Sequence, residues 1–392
     1  MIGATWVAVG ALAVACADDD SSFGEYAPDA SSATDSAGGF GDGAIPVGAA
    51  SGIVIVHAAA FPAFRLCFSN YPDLPPQPDR TEMPRANVVG VDVGSVVRVG
   101  PLERAPGKVV VIAQRKVSAT RDESAAKSCG ELLADQSTLI KDIDYFEAGE
   151  LSAPLGVDRV SLLAITGCGS VPYLEALGLP QDECGPDYDS TRGSLRARTL
   201  TLLPSIAATE SSVPVQVVHL SLALESSLAQ GEAIDVTFGS LDAGPGPLEQ
   251  HVASSPPLFD ASAPVTLMLD QTSEATYGTH GFRIGFRAAL DGGHDAGTIA
   301  RTVIDQSLAE VQDLSSPRTV PTTYYRAASN YVLLLLGDPR VAPSLDDGGA
   351  NADYDPRRGV HLLAVPVKDD EADGGDTEPR PGPGSASTGE GE

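Results

Sequence analysis

Tryptophan occurs once in this 392-residue chain, lysine five times, and aromatic residues make up 5% of it. So few aromatics argue against the ring-lined clefts in which carbohydrate-active enzymes hold sugars. With no cluster of Lys and Arg and a net charge of −28, the chain has nothing to neutralise a phosphate backbone, which excludes nucleic acid as a partner. The motifs that place a nucleophile, a metal base or a phosphate are missing: there is no G-x-S-x-G, no H-E-x-x-H and no P-loop. Cysteine comes in no C-x-x-C pair, so a zinc site is not expected. The apolar run at residues 2–15 is too short for a comfortable membrane span.

What is present points to many short strands. Proline (30) and glycine (41) are abundant, and the apolar segments are short, β-branched and bounded by turn residues. Half of the net charge sits in two end segments. Residues 17–47 hold seven acidic and no basic side chains, and residues 369–392 hold eight acidic and one basic. Both are expected to be extended and disordered, a tether at residues 16–50 and a tail at residues 369–392.

The run IGATWVAVGALAVA (2–15) has the length of a signal-peptide core and ends A-V-A before Cys16. It resembles the lipobox of bacterial lipoproteins, in which the cysteine becomes the lipid-bearing N-terminus. The resemblance implies a signal peptide at residues 1–15, lipidation of Cys16 and a membrane-anchored protein of the cell envelope. An ordinary secretory signal cut at the same bond is the plainer reading. In an exported chain the other four cysteines most simply form two disulfides. Three pairings are possible. Cys168–Cys184, which closes a short loop, with Cys67–Cys129 is the favoured one.

Between tether and tail, four anchors recur in the same order. V-x-V-H at His57 matches V-V-H at His219, offset by 162. D-Q-S recurs at 135–137 and 305–307, and LLAITG and VLLLLG end at Gly167 and Gly337, each offset by 170. D-Y-D-x-x-R-G recurs at 187–193 and 353–359, offset by 166. Four matches in register predict a duplication, with domains at residues 51–206 and 212–368. FRLCFS (64–69) and FRIGFR (282–287) alternate apolar and polar residues and predict half-buried strands. NVVGVDVG, SVVRVG and KVVVIAQ continue the strands between 87 and 114, and SAAKSCGELLA (124–134) predicts a short helix.

The opening strands VIVHAAAFP and VQVVHLSLA resemble that of a small immunoglobulin-like domain of unknown function, common in secreted bacterial proteins, which begins V-R-V-V-H-A-S-P. The resemblance implies an all-β chain of two tandem immunoglobulin-like β-sandwiches and supplies no catalytic residue.

Two kinds of residue are candidate sites. His57 and His219 could ligate a metal or move protons; held by a backbone carbonyl at a strand end, they would be structural. Equivalent residues in two domains are expected to lie far apart. Asp187 with Asp189, and Asp353 with Asp355, are alternate carboxylates of the kind calcium loops use. The competing reading is a turn in which Asp bonds loop amides, Arg192 or Arg358 pairs with a carboxylate, and Gly193 or Gly359 supplies the backbone. The expectation is a non-catalytic envelope lipoprotein with a binding or structural role, meeting a protein or glycan ligand through loops at the sandwich ends. A surface hydrolase or carbohydrate-active enzyme, whose paired carboxylates need no local motif, is the alternative; a calcium-dependent adhesion module is the second.

Overall fold

The structure, a computed structural model, describes residues 51–78, 90–113, 127–135, 137, 139–185, 187–200, 202, 212–244, 247–269, 274–288, 299–311, 325, 330–341 and 356–368. Cys16, the leader, the acidic tether and tail, and Asp353 and Asp355 lie outside them.

The described chain is an all-β arrangement of four sheets. The first half contributes β1 (Gly52–Ala60), β2 (Phe64–Phe68), β3 (Val96–Val99), β4 (Gly107–Ala113), helix α1 (Cys129–Ala134), β5 (Tyr145–Leu151), β6 (Val160–Cys168), helix α2 (Val171–Leu177) and β7 (Arg196–Leu200). The second contributes β8 (Ser212–His219), helix α3 (Leu222–Ser226), β9 (Glu232–Ser240), β10 (Gln250–Ser254), β11 (Val265–Met268), helix α4 (Glu274–Thr279), β12 (His280–Ala288), β13 (Ile299–Ser307), β14 (Asn330–Leu336) and β15 (His361–Lys368). One sheet of the first half runs β3-β1-β6-β7 and one of the second runs β11-β8-β14-β15. In each, the two central strands are parallel, with His57 opposite Ile165 and His219 opposite Leu335. The remaining sheets run β2-β4-β5 and β10-β9-β12-β13.

Side-chain alternation explains the layering. On β1, Ile53 and Ile55 pack with Phe64, Leu66, Val109 and Val111 of the β2-β4-β5 sheet, forming the core of the first sandwich. Val54 and Val56 point the other way, with Leu162 and Ala164 of β6. The second half repeats this pattern. Val215 and Val217 of β8 and Leu333 and Leu335 of β14 pack with Val236, Phe282 and Ile284. Val218, Val332, Leu334 and Leu363 face outward from that sandwich and meet Val54, Val56 and Leu162. The two parallel-centred sheets therefore stack face to face, and β1, β6, β8 and β14 are apolar on both sides because both sides are covered.

Several expectations change. The segment at 90–94 makes an isolated bridge, Val91 with Phe64, rather than a strand. The D-Q-S match does not survive: Asp135 caps the end of α1, whereas Asp305–Ser307 close strand β13. Three polar residues suit a helix end and a strand end equally, so the tripeptide carries no positional information. Strands β2 and β12 alternate as expected but are fully buried over Phe64–Phe68 and Phe282–Phe286. Arg65 reaches the carbonyls of Pro76 and Pro78 at 2.7 and 2.9 Å, and Arg283 forms a two-pronged bond to Asp305 at 2.8 Å. Their polar faces lie under neighbouring chain rather than water. Helix α1 is the predicted one, shortened; Ser128 and Glu131 form a reciprocal capping box at its start. The disulfides are Cys67–Cys129 and Cys168–Cys184, the favoured pairing.

Candidate functional site

The first D-Y-D-x-x-R-G lies between β6 and β7, and the described end of the second lies between β14 and β15. In the first copy the chain folds into a tight turn. One oxygen of Asp189 accepts hydrogen bonds from the amides of Thr191 and Arg192, at 2.8 and 2.9 Å. Its carbonyl accepts from Gly193, which takes φ +75, a conformation that favours glycine. The two amides, and secondarily the Arg192 charge, hold the Asp189 carboxyl below the usual carboxylate range. Tyr188 turns inward beside the Cys168–Cys184 disulfide, Leu174 and Leu179. Arg192 is exposed, and Asp189 bonds loop amides instead of a guanidinium. Asp187 is exposed and lines a polar cleft of about 340 Å³ with Lys141, Glu147, Asp189, Arg192 and Arg196. Lys141 and Glu147 pair at 2.8 Å, so this surface is already a mixed-charge network.

The second copy does different work. Where the first reads Ser190-Thr191-Arg192, the second reads Pro356-Arg357-Arg358. Both arginines reach across to the first half. Arg357 pairs with Asp92, and Arg358 donates to the Leu177 carbonyl at 2.7 Å, at the end of α2. Nε2 of His361 lies 2.8 Å from the carbonyl oxygen of Gly94, and Arg98 donates to the Pro366 carbonyl at 3.0 Å. The Arg198 guanidinium sits 4.4 Å over the Phe259 ring. A rim of polar contacts thus surrounds the apolar stack of the two sheets.

At one end of that stack a cleft of about 100 Å³ opens between the halves. The first half supplies His57, Ala58 to Ala60 and the loop from Leu177 to Cys184; the second supplies Leu220 to Ala223 and Gly337 to Val341, with Arg357 and Arg358. Apolar side chains dominate the wall. Ser221 caps α3 by accepting the Leu224 amide at 2.9 Å and donates to the Gly337 carbonyl. Arg340 forks onto Asp338, which is buried.

The two histidines take corresponding positions but different partners. Nε2 of His57 lies 3.1 Å from the carbonyl oxygen of Pro62, and its ring packs at a tilt against Phe64, with centroids 4.6 Å apart. A carbonyl only accepts, so Nε2 carries the proton and Nδ1 is a bare acceptor, buried and without a partner among the described residues. Burial pushes the His57 imidazole down to about 4, and it is neutral at pH 7. His219 is equally buried, with Nε2 3.3 Å from Glu225; burial lowers its pKa against the pull of that carboxylate. A neutral ring whose proton is held by a backbone carbonyl is a poor proton shuttle, which favours the structural reading of His57. Nevertheless, His57 does border a surface shared with the other half, through the kind of interface that a one-site-per-domain expectation leaves out.

The sequence singles out none of Arg340, Arg357 and Asp92, and it expects Arg358 to pair with a carboxylate of its own loop, whereas Arg358 reaches the Leu177 carbonyl of the first half. Their one legible signal was the difference between the two loop copies, Thr191 against Arg357; the cross-half geometry has no local motif. No family model matches the chain, and no curated protein matches it.

Proposed function

We propose that the protein is a non-catalytic binding protein of the cell envelope, anchored through a lipid on Cys16 and built from two duplicated immunoglobulin-like sandwiches. The single observation that carries the binding reading is the cleft that the two halves wall jointly, with apolar residues from both and a rim of arginines. Concave, mostly apolar sites with a few placed polar groups are where small ligands bind. The strands' shared order and the matched registers of His57 and His219 support duplication. The A-V-A-Cys leader and the two disulfides support export.

Intact mass and fractionation of the native protein test this reading. The expected result is a chain beginning at a lipid-modified Cys16 in the membrane fraction, with Cys16→Ala moving it to the soluble fraction. A soluble mature chain with free thiols at Cys67, Cys129, Cys168 and Cys184 sinks the envelope assignment.

A further inference from the structure

The geometry points to the cleft between the halves as a site for a small monocarboxylate with a short apolar body, an inference that rests on the binding reading above. The charge balance at the cleft comes first. Three guanidiniums line it: Arg340, Arg357 and Arg358. Two are neutralised locally, Arg340 by Asp338 and Arg357 by Asp92. Arg358 spends one nitrogen on the Leu177 carbonyl, a neutral acceptor, and among the described residues no carboxylate pairs with it. His57 adds no charge, being neutral at pH 7. The described wall therefore carries one uncompensated positive charge in a chain whose net charge is −28.

One excess charge suits one carboxylate. A phosphate at neutral pH carries closer to two charges and three strong acceptor oxygens, and needs more donors than one partly engaged guanidinium provides. Apart from His57, Ser221 and Asp338, whose polar groups are largely engaged within the protein, most of the remaining wall is apolar: Ala58, Ala59, Leu179, Leu220, Leu222 and Val341. It favours a hydrocarbon body behind the acid. The volume, about 100 Å³, is well below that of pockets that take drug-sized ligands, so the body is short. The fork of Arg358 matches a carboxylate in shape as well as sign. It is anchored by its bond to Leu177, so little side-chain freedom is lost when an anion arrives.

Titration calorimetry with the full chain tests the site, using hexanoate, hexan-1-ol and inorganic phosphate as probes. Hexanoate is expected to bind at least about tenfold more tightly than hexan-1-ol, the loss expected when a charged hydrogen bond is removed. Arg358→Gln is expected to weaken hexanoate about tenfold and leave hexan-1-ol unchanged. Arg192→Gln, at the corresponding and exposed position of the first copy, should change neither. Because Arg358 also bonds Leu177, a second variant, Ala223→Trp, fills the cleft while keeping every charge, and it should abolish binding with the melting temperature retained. Equal binding of acid and alcohol, tighter binding of phosphate, no heat from hexanoate, or unchanged hexanoate affinity in Ala223→Trp overturns the inference. None of these outcomes bears on the lipid at Cys16, which fractionation decides separately.

Discussion

His57 shows how much a single residue depends on what covers it. The same strand end would leave an imidazole near 6.5 in water; the buried site takes it to about 4. Its folded pKa lies below its unfolded one, so the contribution to stability is complete above pH 6.5. It is lost as the pH falls from there towards 4, because the unfolded chain takes up a proton that the folded ring refuses. The difference corresponds to about 3 kcal/mol, and His219 shifts in the same sense. Urea unfolding at pH 7.5 and pH 4.5 should therefore show a larger loss in the native chain than in His57→Gln, whose amide does not titrate. An equal loss in the two proteins would mean that His57 is not the group responsible. Asp189 makes the complementary case at the surface. Asp189→Asn keeps an oxygen for the Thr191 and Arg192 amides and should melt close to the native protein, whereas Asp189→Ala should melt lower. Melting curves in calcium and in chelator should coincide, because one carboxylate oxygen is already committed to the turn; a calcium-dependent rise in melting temperature would revive the calcium loop.

At the scale of elements, the cysteines divide the chain. Both disulfides lie in the first half, one joining β2 to the start of α1 across 62 residues and the other closing a 16-residue loop around α2. Loop-closure entropy gives about 4 kcal/mol for the longer link and about 3 kcal/mol for the shorter. Replacing Cys67 and Cys129 together by Ala should therefore lower stability more than replacing Cys168 and Cys184, as read by denaturant unfolding of the two double variants. The shorter link also carries Leu177, Leu179 and Cys184 in the cleft wall, so its loss should reach the ligand site as well. Strands were readable because alternation is a local property, as Phe64-Arg65-Leu66-Cys67-Phe68 shows. The burial of Arg65 was not readable, because nothing local says that the loop following β2 folds back so that the Pro76 and Pro78 carbonyls accept from it. The D-Q-S tripeptide failed for the opposite reason: it is local, but too short to select one conformation.

For the whole molecule the decisive contact is sheet on sheet. Val54, Val56, Leu162, Val218, Leu334 and Leu363 would be exposed if either half stood alone. A patch of that kind is an aggregation hazard on a free domain, so the halves are expected to unfold in one calorimetric transition. Two separate transitions would contradict this. Gly94 offers a sharper probe: at φ +62 it lies so close to the second half that a Cβ would sit 1.8 Å from the Arg357 carbonyl oxygen. Gly94→Ala should destabilise the protein by about 2 kcal/mol or more, while Gly100→Ala, with nothing within 4 Å, should change it by less than about 0.5 kcal/mol. Denaturant unfolding of both variants gives the comparison.

The sequence by itself marked strands β1 to β4, β6 to β8, β12, β14 and β15, favoured one cysteine pairing of three, and placed the D-Y-D-x-x-R-G loop before the last strand of each half; β5, β9, β10, β11 and β13 it left unmarked. What it marked follows from period-two patterning, loop length and spacing along the chain. It also held a sign of the larger arrangement: VSLLAIT and YVLLLL are apolar without alternation, which means cover on both faces. What supplies the cover was decided only in the tertiary structure. Each sandwich provides the second face of the other, and that packing brings Arg358 to Leu177 and makes one cleft from two halves. Contacts between residues 181 positions apart leave no trace in a local pattern, because an apolar face records that it must be buried and not against what.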